Sequence, residues 1–169
     1  SSSTSVLDIE INGLTQSTQY DLMAITGTNA IFEGKVKVNL AFDAKVGDKF
    51  TIATVTGTIA TKNLVTPIYA NFGCLQYSFD VSYPGNNSVV LTMSKKGDVL
   101  DPIAIAKNMT LQLDATGKAT INATQINNGS TDNCTAQANL VLTLNKSAFT
   151  CSNLGSNAVI LTVKDEAGN

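Results

Sequence analysis

The stretch NNGSTDNC at residues 127–134 sets three asparagines, an aspartate, a glycine and a cysteine within eight positions. Carboxylate and amide oxygens at that density suit a hard cation. Asn-Asn-Gly equally suits a tight turn, because Asn and Asp side chains bond back to their own backbone. Both readings stay open from these residues alone. The spacing is not that of an EF-hand, which closes on a bidentate Glu at its twelfth position.

Cys74, Cys134 and Cys151 allow one disulfide and one thiol. Two strand-like stretches separate Cys134 from Cys151 and can bring them side by side, so that pair is the expected bridge. Closing a loop of about 15 residues contributes roughly 3 kcal/mol in the chain-entropy view. The alternative is buried thiols, since Cys packs as a small hydrophobe. A low-charge, Asn- and Thr-rich chain favours secretion and a real disulfide.

Reactive constellations are scarce. The absence of His removes the common general base, the usual zinc sites and a Ser-His-Asp triad. The thirteen acidic residues sit mostly in turns or beside lysines, with nothing to draw a pair into a glycosidase cleft. No phosphate-binding glycine loop is present, so no enzyme activity is expected. Tyr69, Phe72, Tyr77, Phe79 and Tyr83 cluster within fifteen positions. They read as a sugar-stacking platform or as alternating core residues, and the lack of Trp favours the core.

The elements that must position these residues alternate with period two. VLDIEI (6–11), KVKVNL (35–40), KFTIATV (49–55), YSFDV (77–81) and SVVLTM (88–93) read as strands. So do MTLQL (109–113), KATINA (118–123), ANLVLTL (138–144) and AVILTV (158–163). Turn signals such as Asn12-Gly13, Gly47-Asp48 and Pro84-Gly85-Asn86 fall between them. Only short pieces such as residues 123–126 suit a helical turn. The expected fold class is all-β, and strands returning every ten or so residues suit sandwiches or solenoid sheets. KKGDVLDP at 95–102 breaks the alternation, giving modules at 1–96 and 102–169 joined by a linker at 97–101.

A net charge of −2 with scattered lysines leaves no footprint for nucleic acid. No apolar run approaches the roughly 20 residues of a membrane span. The opening SSSTS lacks the basic and apolar parts of a signal peptide, which places any such segment upstream or already removed.

Residues 20–93 resemble a module found at the C-terminal end of β-solenoid regions in autotransporter-like bacterial surface proteins. The likeness runs through Tyr20-Asp21-Leu22-Met23, Gly27-Thr28, Phe32–Leu40, Phe42, Gly47–Ile52, Gly57-Thr58-Ile59, Val81–Asn86 and Ser88–Met93, and it implies a stacked-strand or two-sheet unit that caps an apolar core. Val36, Val38 and Leu40 give one buried face on which Phe50 and Ile52 pack, with Lys35, Lys37 and Lys49 outward.

Residues 102–169 resemble the bacterial hyalin-repeat (HYR-like) branch of immunoglobulin-like sandwiches. Here the likeness runs through Pro102, Lys107–Asp114, Gly117–Ile121, Ile126–Cys134, Phe149-Thr150-Cys151, Leu154-Gly155, Ala158–Asp165 and Ala167-Gly168-Asn169. Modules of this kind often carry another cysteine where this chain has Ala106, and they run on past the Gly168-Asn169 turn into a final strand. The resemblance therefore implies a piece of a longer protein, its last strand lying elsewhere or donated by a neighbour.

The same resemblance implies that the 127–134 loop, the 165–169 turn and the linker carboxylates Asp98 and Asp101 share one end of the module. A calcium ion there would draw on Asp101, Asp132 and Asp165, helped by Asn127 or Asn133. The expectation is a non-catalytic structural or adhesive fragment of a large secreted or cell-surface bacterial protein, acting in display, spacing or attachment. Its partners would be neighbouring modules, a surface glycan or a donated β-strand. The competing expectation is a carbohydrate-binding accessory region of a secreted polysaccharide-degrading enzyme.

Overall fold

The structure, a computed structural model, describes residues 5–169. Residues 1–4, most of the SSSTS start, lie outside the described residues. The chain is all-β and divides into two compact units, Ser1–Gly97 and Asp98–Asn169.

The first unit contains β1 (Val6–Ile11), β2 (Met23–Ile25), β3 (Ala30–Leu40), β4 (Lys49–Val55), β5 (Ile59–Leu64), β6 (Ile68–Phe72), β7 (Leu75–Ser82) and β8 (Ser88–Gly97). One sheet, ordered β1-β3-β5, is wholly parallel. The second, ordered β2-β4-β8-β7-β6, is parallel between β2 and β4 and antiparallel from β4 onward. Parallel neighbours need long crossovers, and here each crossover contains a strand of the opposite sheet. Val6 pairs with Lys35, 29 residues on, Ala30 with Ile59, again 29, and Met23 with Ala53, 30 on. The chain therefore coils with a rung of 29–30 residues before the β6–β8 meander ends the coil.

Side-chain alternation decides what lies between the sheets. Ile9 and Ile11 of β1, Val36, Val38 and Leu40 of β3, and Phe50 and Ile52 of β4 are all buried in one core with Phe79, Leu91 and Met93. Lys35, Lys37 and Lys49 are exposed, as their alternate positions require. Phe50 is the hub, meeting Tyr20, Phe42 and Phe79 edge to face at 5.4, 6.2 and 6.1 Å between ring centroids. Successive rungs also touch at their corners. A side chain at Gly57 would collide with the carbonyl oxygen of Gly27, thirty positions earlier in the coil.

The second unit contains β9 (Lys118–Thr120), the one-turn helix α1 (Ala123–Ile126), β10 (Val141–Leu144), β11 (Ala148–Thr150) and β12 (Leu161–Lys164). The Asn122 side chain accepts from Gln125 N and the Gln125 side chain accepts from Asn122 N, which starts α1. Two antiparallel ladders form, β9 with β11 and β10 with β12. Ile121, Ile126 and Phe149 make a small core, joined by Leu111, Leu113, Leu144, Val159 and Leu161.

MTLQL at 109–113 is not a strand in this fold. Leu111 and Leu113 turn to the core as alternation requires, yet no backbone hydrogen bond forms from residues 108–113 among the described residues. The expected strands at 138–144 and 158–163 are reduced to their paired halves, and a 3-10 turn, Gln137–Asn139, takes the start of the former.

Candidate metal centre

Three segments of the second unit present carboxylates to one point. Asp98 follows β8, Asp132 lies in the 127–135 loop and Asp165 follows β12. One ligand oxygen from each lies within 4.8 Å of the others.

Each aspartate is aimed by its own local turn. Asp98 Oδ1 accepts from Leu100 N at 3.1 Å. Asp132 Oδ2 accepts from Cys134 N and Thr135 N at 2.8 and 2.7 Å. Asp165 Oδ1 accepts from Gly168 N and Asn169 N at 2.6 and 2.8 Å, and its Oδ2 from the Asn169 amide at 2.8 Å. Such side-chain-to-backbone turns are what Asp favours outside ladders. They occupy one oxygen of Asp98 and one of Asp132. The other two, Asp98 Oδ2 and Asp132 Oδ1, are removed from solvent and have no hydrogen-bond partner among the described residues.

Cross-links tie the three segments together. Glu166 N donates to Thr135 Oγ1 at 3.1 Å, and the Asn169 amide donates to the Asp98 carbonyl at 3.3 Å. The loop itself is pinned through Ser130, fully buried. Its Oγ accepts from Ile105 N at 2.9 Å, and the Asn127 side chain accepts from Ser130 N and Oγ at 3.0 and 2.6 Å.

Electrostatically the cluster is unbalanced. The ion pairs among the described residues, Lys37–Asp8 and Lys96–Asp43, both lie in the first unit. Asp165 is 4% exposed. Burial alone pushes its carboxyl pKa up, but donation from the Asn169 side chain and from the Asn169, Gly168 and Ala167 backbone outweighs burial and holds it below the usual carboxylate value. It is thus kept as an anion. Without His, and with carboxylate oxygens alone, the arrangement suits a hard divalent cation rather than zinc.

The expected ligand set is redrawn. Asp132 and Asp165 come together, but Asp101 is exposed and outside the cluster, and Asp98 takes that place. The Asn127 side chain is spent on Ser130. Asn133 borders the cluster, its amide nitrogen donating to Asp98 Oδ1 at 3.4 Å and to Cys134 Sγ at 3.6 Å. Asn169, which holds Asp165, was not among the expected residues, although a Gly-Asn pair three residues after an Asp is a turn signal.

The expected Cys134–Cys151 bridge is not formed. Cys151 is a free, exposed thiol, whereas Cys74 and Cys134 are disulfide-bonded. The two stretches between Cys134 and Cys151 do not form a hairpin, because β10 pairs with β12 and β11 with β9. Cys151 therefore leaves β11 beside Gly117, its Sγ 3.7 Å from that carbonyl oxygen, while Cys134 stays in the acidic loop.

The aromatic cluster divides between core and surface. Tyr77 and Phe79 lie in the core, and only Tyr69 and Phe72, on β6, are exposed. An open groove of about 660 Å³ over the second unit's core is lined by Lys107, Leu111, Phe149, Asn153, Asn157 and Val159, among others. No family model, curated protein or solved structure matches the chain.

Proposed function

We propose that the chain is a non-catalytic structural and adhesive segment of a large secreted or cell-surface bacterial protein, acting in display, spacing or attachment. The observation that carries this reading is the 29–30-residue rung of the first unit. A coil whose rungs bury their apolar faces on one another lengthens by repetition, which is how quasi-one-dimensional spacers are built. Its first rung, β1 and β2, sits at the sheet edges, where a preceding rung of the same parent would stack.

Other features agree. A disulfide favours an oxidising compartment, and no helix of the described residues is long and apolar enough to cross a membrane. The acidic cluster is closed to solvent at its free oxygens, a geometry for holding an ion rather than for turning over a sugar. The natural partners are neighbouring modules of the same parent protein.

Pull-down of the oxidised chain on insoluble polysaccharides, with a glycan array, tests this reading. A spacer gives no retention and no hydrolysis. Retention that saturates with a defined glycan would replace it with the carbohydrate-binding accessory role.

A further inference from the structure

We propose that Asp98, Asp132 and Asp165 bind a single calcium ion. The site lies where the first residues of the second unit, the 127–135 loop and the 165–169 turn converge. This does not depend on what the parent protein attaches to.

Two independent observations carry it. The first is geometric: one oxygen from each of three segments lies within 4.8 Å of the others. Calcium holds its oxygens at about 2.3–2.6 Å, so opposite ligands in its shell are about 4.6–5.2 Å apart. Three oxygens within that spread surround one ion at its usual distances with at most a few tenths of an ångström of closure. The second is the hydrogen-bond account. Asp98 Oδ2 and Asp132 Oδ1 are buried and have no donor, although the other oxygen of each side chain is satisfied. Buried acceptors are almost always paired, and an anionic oxygen without a partner is the costliest kind to bury. Two such oxygens, on side chains whose carboxylates gather with a third, and no lysine paired to any of the three among the described residues, define a place for positive charge.

Ligand chemistry selects the ion. All three ligands are carboxylates, Cys134 is committed to a disulfide, and the chain has no His, which removes the soft ligands of zinc and copper. Magnesium is usually held by one or two carboxylates and keeps several waters in a rigid octahedron. Three carboxylates from three segments match the larger, more permissive calcium shell, with water and backbone carbonyls completing it.

The test is isothermal titration of calcium into oxidised, chelator-treated chain, on wild type, Asp98→Asn, Asp132→Asn and Asp101→Asn. The Asn variants keep an oxygen for the turn-forming N–H groups and replace only the ion-facing oxygen, so the turns survive. Wild type should show one saturable site with a dissociation constant of about 1 mM or tighter, the range of extracellular modules. Asp98→Asn and Asp132→Asn should each weaken it at least about tenfold, with apo melting temperatures unchanged or raised because an orphan anion is gone. Asp101→Asn should bind like wild type. No saturable heat up to about 10 mM calcium would overturn the site. So would wild-type affinity in both cluster variants, or an equal loss in Asp101→Asn.

Discussion

Asp98 and Asp101 are identical side chains three positions apart, and only Asp98 reaches the acidic cluster. The sequence shows two carboxylates in one stretch; it does not show that Asp98 accepts from Leu100 N and so turns its second oxygen inward. Asp132 and Asp165 were expected together through the resemblance of residues 102–169 to immunoglobulin-like modules, and each is held by N–H groups two to four residues on. Tyr77 shows the same dependence on packing. Burial first, then its 2.6 Å hydrogen bond to Asp43 and that carboxylate's charge, push its phenol pKa from 10.0 up to about 12. The Asp43 carboxyl is held low in turn, mainly by its bonds from Lys96 and Tyr77. A raised folded-state pKa means that the contribution to stability is complete below pH 10 and is lost as pH rises from 10 towards 12. Urea midpoints measured from neutral pH to pH 12 should fall across that window in wild type. In Tyr77→Phe the fall should be shallower, from a lower starting point, and an unchanged slope would remove Tyr77 as its source.

At the scale of elements, alternation located the strands whose two faces differ most. KFTIATV coincides with β4, and Ala123–Ile126 with α1. Shorter or edge strands were missed. β2 has three residues, and β5 and β6 lie at sheet edges, so few of their positions carry a burial signal. MTLQL fails in the opposite sense, since its pattern suits a strand and its backbone makes no hydrogen bond among the described residues. Alternation reports which face is wet; a strand also needs a neighbour. Two substitutions probe the coil. Phe50→Ala removes the buried ring that meets three others and should cost about 3–5 kcal/mol by denaturant unfolding. Gly57→Ala places a methyl against the Gly27 carbonyl and should cost about 1–3 kcal/mol, the scale of overpacking. A neutral Gly57→Ala would mean that the rungs do not stack this closely.

At the scale of the whole chain, the all-β class followed from composition and period, and the cysteine pairing did not. Spacing along the chain proposed Cys134 with Cys151, but ladder order, which spacing does not reveal, separates them. Alkylation of the non-reduced, unfolded chain should label Cys151 alone, and a non-reduced peptide map should show the Cys151 peptide in no disulfide. Labelling at Cys74 or Cys134 in place of Cys151 would contradict that assignment. As proposed, the chain is a braced structural part whose second unit would be closed by an ion between its first and last segments. Hydrogen–deuterium exchange of the oxidised chain, with calcium and with chelator, tests it most directly. Calcium should slow exchange at residues 98–101, 131–135 and 165–169 while leaving the β1–β8 core unchanged. No slowing at those three segments, or equal slowing throughout the chain, would contradict it.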